Sequence, residues 1–491
     1  MTAAPSAASH MADLVERLAG ARVVCVGDVM LDRYVLGQVE RISPEAPIPV
    51  LRVEKETAML GGAGNVAANI TALGGGVRFV AVAGDDTAGD ELQRLLHKLD
   101  SLDADLVIEA GRRTTLKTRF VGAAQQLVRA DVETTAPLTQ AALKDLLAHI
   151  DRTDGEAGAM VLSDYGKGVL GDSVIQHTIT RARSQNLPVI VDPKGRDYSR
   201  YQGAHLITPN KRELMEASGL PARTDAEVIA ACTHLIETCG VDGVLATRSA
   251  DGMTLVGKGA EPQHFKAEAR EVFDVSGAGD TVVATVALAL AAGARLDEAA
   301  ALANVAAGIV VGKAGTATVS AAELSRTLHL QDLSVAEAKL CDLDRAAMQV
   351  ANWREQGLNV GFTNGCFDLL HPGHISLLTQ ARTACDKLVV GLNSDASVKR
   401  LKGESRPVQS EAARAAVLGA LSAVDLVVLF SEDTPLNVIE TLRPDVLVKG
   451  ADYRLEEVVG ADIVQSYGGR VVLAELVDGQ STTNTIAKMN G

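Results

Sequence analysis

Short Val-rich runs, each ending in a polar cluster, recur along this chain between Ala/Leu-rich periodic segments. That alternation is the signature of βα units, whose strands are buried on both faces of a parallel sheet. Arg22-Val23-Val24-Cys25-Val26-Gly27 is the first such run and ends at Asp28. Runs at 159–163, 188–191, 206–208 and 243–247 follow. They end in Ser163-Asp164-Tyr165-Gly166-Lys167, Asp192-Pro193-Lys194, Pro209-Asn210 and Arg248-Ser249. Ligands of open α/β sheets gather at the carboxyl ends of strands, so Asp28 and Asp32 are candidates from position alone. Residues 34–55 and 107–131, rich in Val, Thr and Arg and broken by Pro and Gly, are expected to form short β segments apart from the main sheet, as a lid. The most apolar segment, 282–292, is too short to span a bilayer and is expected to be a core helix.

Ser320-Ala321-Ala322-Glu323 has capping-box spacing and predicts a last short helix. Periodicity weakens around 326–340, which predicts a linker. Leu343, Ala347, Val350, Ala351 and Arg354 then predict an amphipathic helix ended by Gly357. The sheet pattern restarts at 359–362, 387–392, 426–429, 446–448 and 470–473. The expected organisation is a flexible terminus over 1–20, a doubly wound α/β domain with a β lid over 21–325, a linker and connecting helix over 326–356, and a smaller Rossmann-like domain over 357–491.

A net charge of −15 argues against a nucleic-acid partner, which a basic face would serve. The six cysteines form no CxxC pair and have no His at zinc spacing, as expected of thiols in a reducing, cytoplasmic setting. Residues 1–11 lack a basic start and a long apolar run, so a signal peptide and membrane insertion are not expected.

Two stretches carry phosphate chemistry. Gly277-Ala278-Gly279-Asp280 opens an apolar helix, where free backbone N–H groups meet an anion. Asp280 is placed to take a proton from a hydroxyl attacking phosphorus. Gly61-Gly62-Ala63-Gly64-Asn65 opens another helix, and Asn65 is the better placed of Asn65 and Asn69 for sugar hydroxyls. A phosphorylated sugar calls for cations, with Lys117, Arg119, Arg129, Lys167 and Lys194 as candidates, each equally readable as a surface charge. With these residues, and with Phe273-Asp274-Val275-Ser276 leading into the Gly-rich turn, roughly residues 20–318 resemble the ribokinase (PfkB) family of carbohydrate kinases. The resemblance implies that Asp280 is the base and that Gly277, Ala278 and Gly279 form the anion hole. It places Asp28, Asp32, Gly61, Gly62 and Asn65 at the sugar. Asn210-Lys211-Arg212-Glu213 matches the family's NxxE pattern, which implies that Glu213 and the nucleotide phosphates organise Mg²⁺, with Thr247 near the nucleotide.

The second stretch is Thr363-Asn364-Gly365-Cys366-Phe367-Asp368 followed by His371-Pro372-Gly373-His374. Two imidazoles at i and i+3 fall on one helical face, with Gly373 keeping the gap between them clear for a phosphate. This is not the i,i+4 zinc pair, and no third ligand is evident. The chemistry expected is attack of a substrate phosphate on the α-phosphorus of a nucleotide, with pyrophosphate leaving. Residues 357–491 resemble the HxGH nucleotidyltransferase superfamily, in its cytidylyltransferase-like branch. The resemblance implies catalytic His371 and His374, and a nucleotide site that includes Thr363, Asn364, Gly365, Phe367 and Asp368. It adds Lys402 on phosphate, Lys449 and Gly450 near the nucleotide, and a helix start at Ser481, Thr482 and Thr483.

In this order the two modules resemble bifunctional heptose-phosphate kinase/adenylyltransferases. That resemblance implies ATP as co-substrate, Mg²⁺ as cofactor, heptose 7-phosphate and heptose 1-phosphate as substrates, a separate phosphatase acting between the two steps, ADP-heptose for the lipopolysaccharide core, and a homodimer through the lid. The residues themselves stop at ATP-dependent phosphorylation of a polar alcohol and nucleotidyl transfer to a phosphate. They leave open a cytidylyltransferase acting on a polyol phosphate, and a metabolite-sensing module built on the same two folds.

Overall fold

The computed structural model describes residues 7–122, 125–152, 156–267, 275–313, 315–451 and 454–475. The chain divides into two compact units, with one spanning Ser9–Leu328 and the other taking over at His329.

The first unit contains β1 (Arg22–Gly27), β2 (Val29–Ile42), β3 (Pro49–Gly62), β4 (Gly76–Gly84), β5 (Leu102–Glu109), β6 (Thr115–Gly122), β7 (Gln125–Val132), β8 (Ala159–Ser163), β9 (Val189–Asp192), β10 (Leu206–Ile207), β11 (Gly243–Thr247), β12 (Met253–Gly257) and β13 (Gln263–Phe265). Its main sheet runs β13-β12-β11-β10-β9-β8-β1-β4-β5. Pairing is parallel except where β12 joins β11 and β13. The chain winds outward from β1 in both directions, so strand order reverses between β1 and β8. Crevices for ligands open at such a reversal, and here it brings Asp28 beside the loop after Ser163.

A second sheet, β3-β2-β6-β7, stands apart as the lid. Its boundary differs from expectation. Residues 107–109 belong to β5 on the edge of the main sheet, in register with β4. The alternation of Val107 and Glu109, both buried, keeps that strand on the sheet until Gly111 turns it away at φ 81°. The lid's share of this region starts at Thr115.

The helix Ala278–Ala291 is buried along its length from Asp280 to Ala289, because small and branched side chains let it pack against helix Ala63–Ala72, helix Leu296–Val310 and the sheet. The expected linker is also different. Ser320 does form the capping box: its hydroxyl accepts from the Glu323 N–H at 3.2 Å, and its own N–H donates to Glu323 at 2.9 Å. The helix it starts is not short and runs from Ala321 to Ala338. The segment after Arg326 contains no Gly or Pro, so nothing local ends the helix where the apolar pattern fades.

The second unit contains β14 (Leu340–Cys341), β15 (Val360–Gly365), β16 (Lys387–Asn393), β17 (Leu426–Phe430), β18 (Val446–Gly450) and β19 (Arg470–Ala474). They form one sheet in the order β14-β17-β16-β15-β18-β19, parallel throughout. Strand order reverses at β15, and the His-rich stretch follows directly from its carboxyl end.

Candidate functional site

Two centres lie at these two reversals. In the first unit, Gly277 takes the left-handed conformation at φ 79° and starts helix Ala278–Ala291 with no side-chain cap. That leaves first-turn N–H groups for an anion. Asp280, in that first turn, is 4% exposed. Asn65 donates to its Oδ2 at 2.8 Å, and the Tyr165 hydroxyl donates to its Oδ1 at 2.7 Å. Burial pushes the Asp280 carboxyl up to about 6, although both hydrogen bonds pull the other way.

Asn65, expected at sugar hydroxyls, therefore has Asp280 as its amide partner. Its own oxygens accept from Asn69 at 2.9 and 3.3 Å. Thr281 donates to Asn69 at 3.1 Å and closes the cluster. A Cβ on Gly277 would meet the Asn65 amide nitrogen at 2.7 Å, so this glycine is required by contact as well as by φ.

Asp28 is buried, and its carboxylate accepts the backbone N–H groups of Tyr165 at 2.8 Å, Lys167 at 2.9 Å and Val169 at 3.1 Å. It holds the loop that carries Tyr165. Asp32 pairs with Arg119 across the lid strands. Gly61 lies against Asp32, where a Cβ would come within 2.3 Å of Oδ2. The Gly62 backbone at φ 56° lets the chain pass over the Asp28 carbonyl. Lys117 lies 5.7 Å over the Tyr165 ring. Burial lowers its pKa, and the pull of Asp32 offsets only part of that.

The residues expected on the nucleotide side form a second group. Asn210 caps helix Lys211–Ser218 through the N–H groups of Arg212 and Glu213, both at 3.0 Å. Glu213 returns to the Asn210 N–H and also takes Lys194 at 2.9 Å. Thr247 bridges to Asn210 in parallel register. Asp192 at the end of β9, which the sequence reading did not single out as a site residue, is pushed well up by burial and by the carboxylates of Asp280 and Glu213.

Other expected residues are engaged with nearby carboxylates, and of these Lys167 and Arg129 lie near enough to Lys117 to lower its pKa. Arg129 is exposed and pairs with Asp131 at 2.9 Å. Arg212 pairs with Glu216 on an exposed helix face, and Lys211 reaches Asp251 at 3.4 Å. The Lys167 ammonium pairs with Glu133. Phe273 and Asp274 lie outside the described residues.

In the second unit, His371 is the N-cap of helix Pro372–Thr383, with extended backbone, and only His374 lies within the helix. The rings stack, with centroids 3.9 Å apart at 25°. No gap separates the ring faces, so only their edges are open to a ligand, unlike the expected cleared gap between them. Burial lowers both pKa values, that of His374 to about 4, so both imidazoles are neutral bases.

Phe367, at φ 44°, packs on His374 with centroids 5.1 Å apart. Gly365 leaves room for that ring, since a Cβ there would lie 3.1 Å from it. Asp368 is buried. It accepts from Arg406 and from the N–H groups of Val408 at 2.7 Å and Gln409 at 3.2 Å, and these bonds hold its pKa down against burial.

Thr363 Oγ1, Asn364 Oδ1, His371 Nδ1, His374 Nδ1 and Arg406 Nη2 are all buried without a hydrogen-bond partner among the described residues. Buried polar atoms are normally paired, so four orphans along one motif, with Arg406 as a fifth, mark a place built for a polar ligand. Lys449 donates to the Asn364 carbonyl at 3.1 Å, beside Gly450 at the end of β18. Lys402 ends helix Asp395–Lys402, is exposed, and is near enough to His374 to add to the lowering of its pKa. Ser481, Thr482 and Thr483 lie outside the described residues.

The sequence reading missed Tyr165 in the first centre and Arg414 in the second, while it matched Arg406 with Lys402 but gave it no role. Arg414 is fully buried and ties Cys366 O at 2.6 Å to Asp395 at 2.7 Å. The strand-end cluster contained Tyr165, and Arg406 sat in an Arg-Pro pair. Nothing local marked Arg414.

Among known proteins, residues 21–323 match the pfkB family carbohydrate kinase, and residues 362–481 match the cytidylyltransferase-like family. The Bifunctional protein HldE of Paramagnetospirillum magneticum is 62% identical over 483 residues, which cover 98% of this chain and 99% of the relative. That of Rhodospirillum rubrum is 60% identical over 481 residues, with coverages of 98% and 97%. Among solved structures, phosphofructokinase-2 from Escherichia coli in complex with potassium superposes with a TM-score of 0.55 at 22% identity, over 63% of this chain and 99% of that one. Ribokinase from Arabidopsis thaliana complexed with ribose and ATP gives 0.50 at 20% identity, with the same coverages of 63% and 99%. These two likenesses speak for the ribokinase-like fold of the first unit alone. A carbohydrate-kinase unit followed by a cytidylyltransferase-like unit, matched along nearly its whole length by relatives of the same build, makes this chain a kinase and nucleotidyltransferase of the pfkB carbohydrate kinase family, in its bifunctional HldE branch.

Proposed function

We propose that the first unit transfers the γ-phosphoryl group of ATP to the anomeric hydroxyl of heptose 7-phosphate, giving the 1,7-bisphosphate. A separate phosphatase removes the 7-phosphate. The second unit then joins heptose 1-phosphate to AMP from ATP and releases pyrophosphate, supplying ADP-heptose for the lipopolysaccharide core. One observation carries this reading: two separate phosphate-handling centres, one around Asp280 and one around His371 and His374, lie at the two sheet reversals of a chain whose relatives are bifunctional.

In the kinase unit Asp280 takes the proton of the attacking hydroxyl, and the uncapped turn at Gly277, Ala278 and Gly279 receives the developing phosphoryl charge. Asp32, Arg119 and Lys117 line the sugar side from the lid. Lys194, Asn210, Glu213 and Thr247 serve the nucleotide. The donor chemistry fits Mg²⁺: burial, with Asp280 and Glu213 beside it, pushes Asp192 well up, and a cation there would favour its charged form. Glu213 and Asp192 are the carboxylates that would hold Mg²⁺ together with the nucleotide phosphates, whose charge it would neutralise.

In the transferase unit the edges of His371 and His374, with Thr363 and Arg406, meet the oxygens of the α-phosphorus, and Lys449 and Lys402 serve the nucleotide's remaining charge. Residues Val39, Ile42, Val53 and Val128, exposed on the lid sheet, support self-association as a homodimer. No helix among the described residues is long and apolar enough to cross a membrane, and we place the enzyme in the cytoplasm.

The test is product analysis with purified chain, ATP and heptose 7-phosphate, with and without an added sugar-bisphosphate phosphatase. Bisphosphate alone in the first case and ADP-heptose in the second are expected. Failure to consume heptose 7-phosphate would overturn the kinase reading, and use of CTP in place of ATP at the second site would overturn the adenylyl reading.

A further inference from the structure

The proposed base is held by two donors, and one of them stands on a device that the sequence motifs did not reveal. We propose that Tyr165 is a positioning residue for Asp280, and that Asp28 acts through it. The Tyr165 hydroxyl lies 2.7 Å from Asp280 Oδ1, opposite the Asn65 amide on Oδ2. A carboxylate held at both oxygens cannot rotate, and each oxygen keeps a lone pair for the sugar hydroxyl. The Tyr165 ring is set by its own backbone. Three successive bonds, from the N–H groups of Tyr165, Lys167 and Val169 to Asp28, fix the loop after β8 onto the end of β1. Asp28 thus has both oxygens engaged with backbone and bears on Asp280 through this loop.

The arrangement has an electrostatic consequence. A hydroxyl that donates to a carboxylate favours its ionised form. Burial works the other way, and so does Asp32 from the lid; Lys117, also on the lid, favours ionisation. Asp192 from β9 and the Cys25 thiol of β1 also face Asp280. None of these is removed when the Tyr165 hydroxyl is deleted, so the change reads that hydroxyl alone.

This inference rests on the kinase reading above, and the experiment separates the two. Full-length wild type, Tyr165→Phe and Asp28→Asn are assayed with ATP and heptose 7-phosphate for kcat and KM across the acid limb. With the donor gone, the base is protonated at higher pH, and the acid limb of kcat moves up by about one unit. Below the limb kcat falls about tenfold, while KM for the sugar phosphate stays within about twofold. Asp28→Asn moves the limb in the same direction, and it keeps the idea testable if Tyr165→Phe fails to fold. Circular dichroism melts of each preparation report whether its kinase unit is folded. A limb that stays in place in folded variants overturns the proposal. So does a rise in KM at constant kcat, which would make Tyr165 a sugar contact. A wild type that leaves heptose 7-phosphate untouched overturns the kinase reading instead.

Discussion

Asp280→Asn is predicted to kill the kinase and to stabilise its unit. The Asp280 pKa is raised from 3.8 to about 6 by burial. Between those values the folded protein holds a proton that the unfolded chain has released. Stability therefore falls as pH rises through that window and stays lower above it. A shift of about two units corresponds to about 3 kcal/mol of strain carried by the ionised carboxylate at neutral pH. Asparagine removes the charge. It offers only one acceptor to the two donors of Asn65 and Tyr165, which costs about 1 kcal/mol. The net gain is about 1–2 kcal/mol at neutral pH, and it disappears below about pH 4, where the native carboxyl is already protonated. Circular dichroism melts at both pH values read it. Trp353, the chain's single tryptophan, lies in the second unit, so its fluorescence identifies that unit's transition and leaves the other to the kinase. A variant destabilised at neutral pH, or equally stabilised in acid, would refute the reasoning.

Gly277→Ala places a Cβ 2.7 Å from the Asn65 amide in a backbone at φ 79°. It is predicted to cost about 1 kcal/mol of stability and about tenfold or more in phosphorylation, and unchanged kinase activity would sink the argument. His371→Ala is predicted to lower nucleotidyl transfer about a hundredfold or more while sparing the kinase; loss of both activities would contradict two independent centres. Asp368→Ala leaves the Arg406 guanidinium and two loop N–H groups without their acceptor, and urea unfolding followed by Trp353 emission should show the second unit weaker by about 2–4 kcal/mol. His374→Gln should flatten the acid sensitivity of that unit, because a pKa lowered from 6.5 to about 4 makes stability fall as pH falls through that range; an unchanged pH slope would count against a buried neutral imidazole.

Sheet strands and their polar ends were legible because burial on both faces writes itself locally, as at Ala159–Ser163 and Lys387–Asn393. The segment read as a linker, 326–340, is helical through Ala338, which shows the limit of periodicity. The helix Ala321–Ala338 continues on backbone propensity after its apolar face has ended. Site residues were legible where one short stretch carried them. The partners of Asp280 were not, since Asn65 and Tyr165 come from positions 215 and 115 residues away and only the fold joins them. Asp28 and Asp32 looked alike as strand-end carboxylates. One turned out to anchor a loop through backbone N–H groups and the other to pair with Arg119, a partner that only the lid strand β6 supplies. The two histidines were legible as a pair but not as a stack, because the helix begins one residue later than their spacing suggested.

The two centres solve one problem by opposite means. In the proposed function each receives phosphate oxygens in a partly dry place, where an unbalanced charge is costly. The kinase unit buries an anion and steadies it with neutral donors, Asn65 and Tyr165, keeping cations such as Lys117 on the lid side. The second unit buries neutral bases and leaves donors such as Arg406 Nη2 unpaired. Their pH dependences therefore run against each other. The Asp280 charge weakens the first unit as pH rises from 3.8 to about 6, and protonation of His374 weakens the second as pH falls from 6.5 to about 4. No pH relaxes both, so the strain at each centre belongs to its chemistry: a base must be ionised before the sugar arrives, and an imidazole must be uncharged before the nucleotide does.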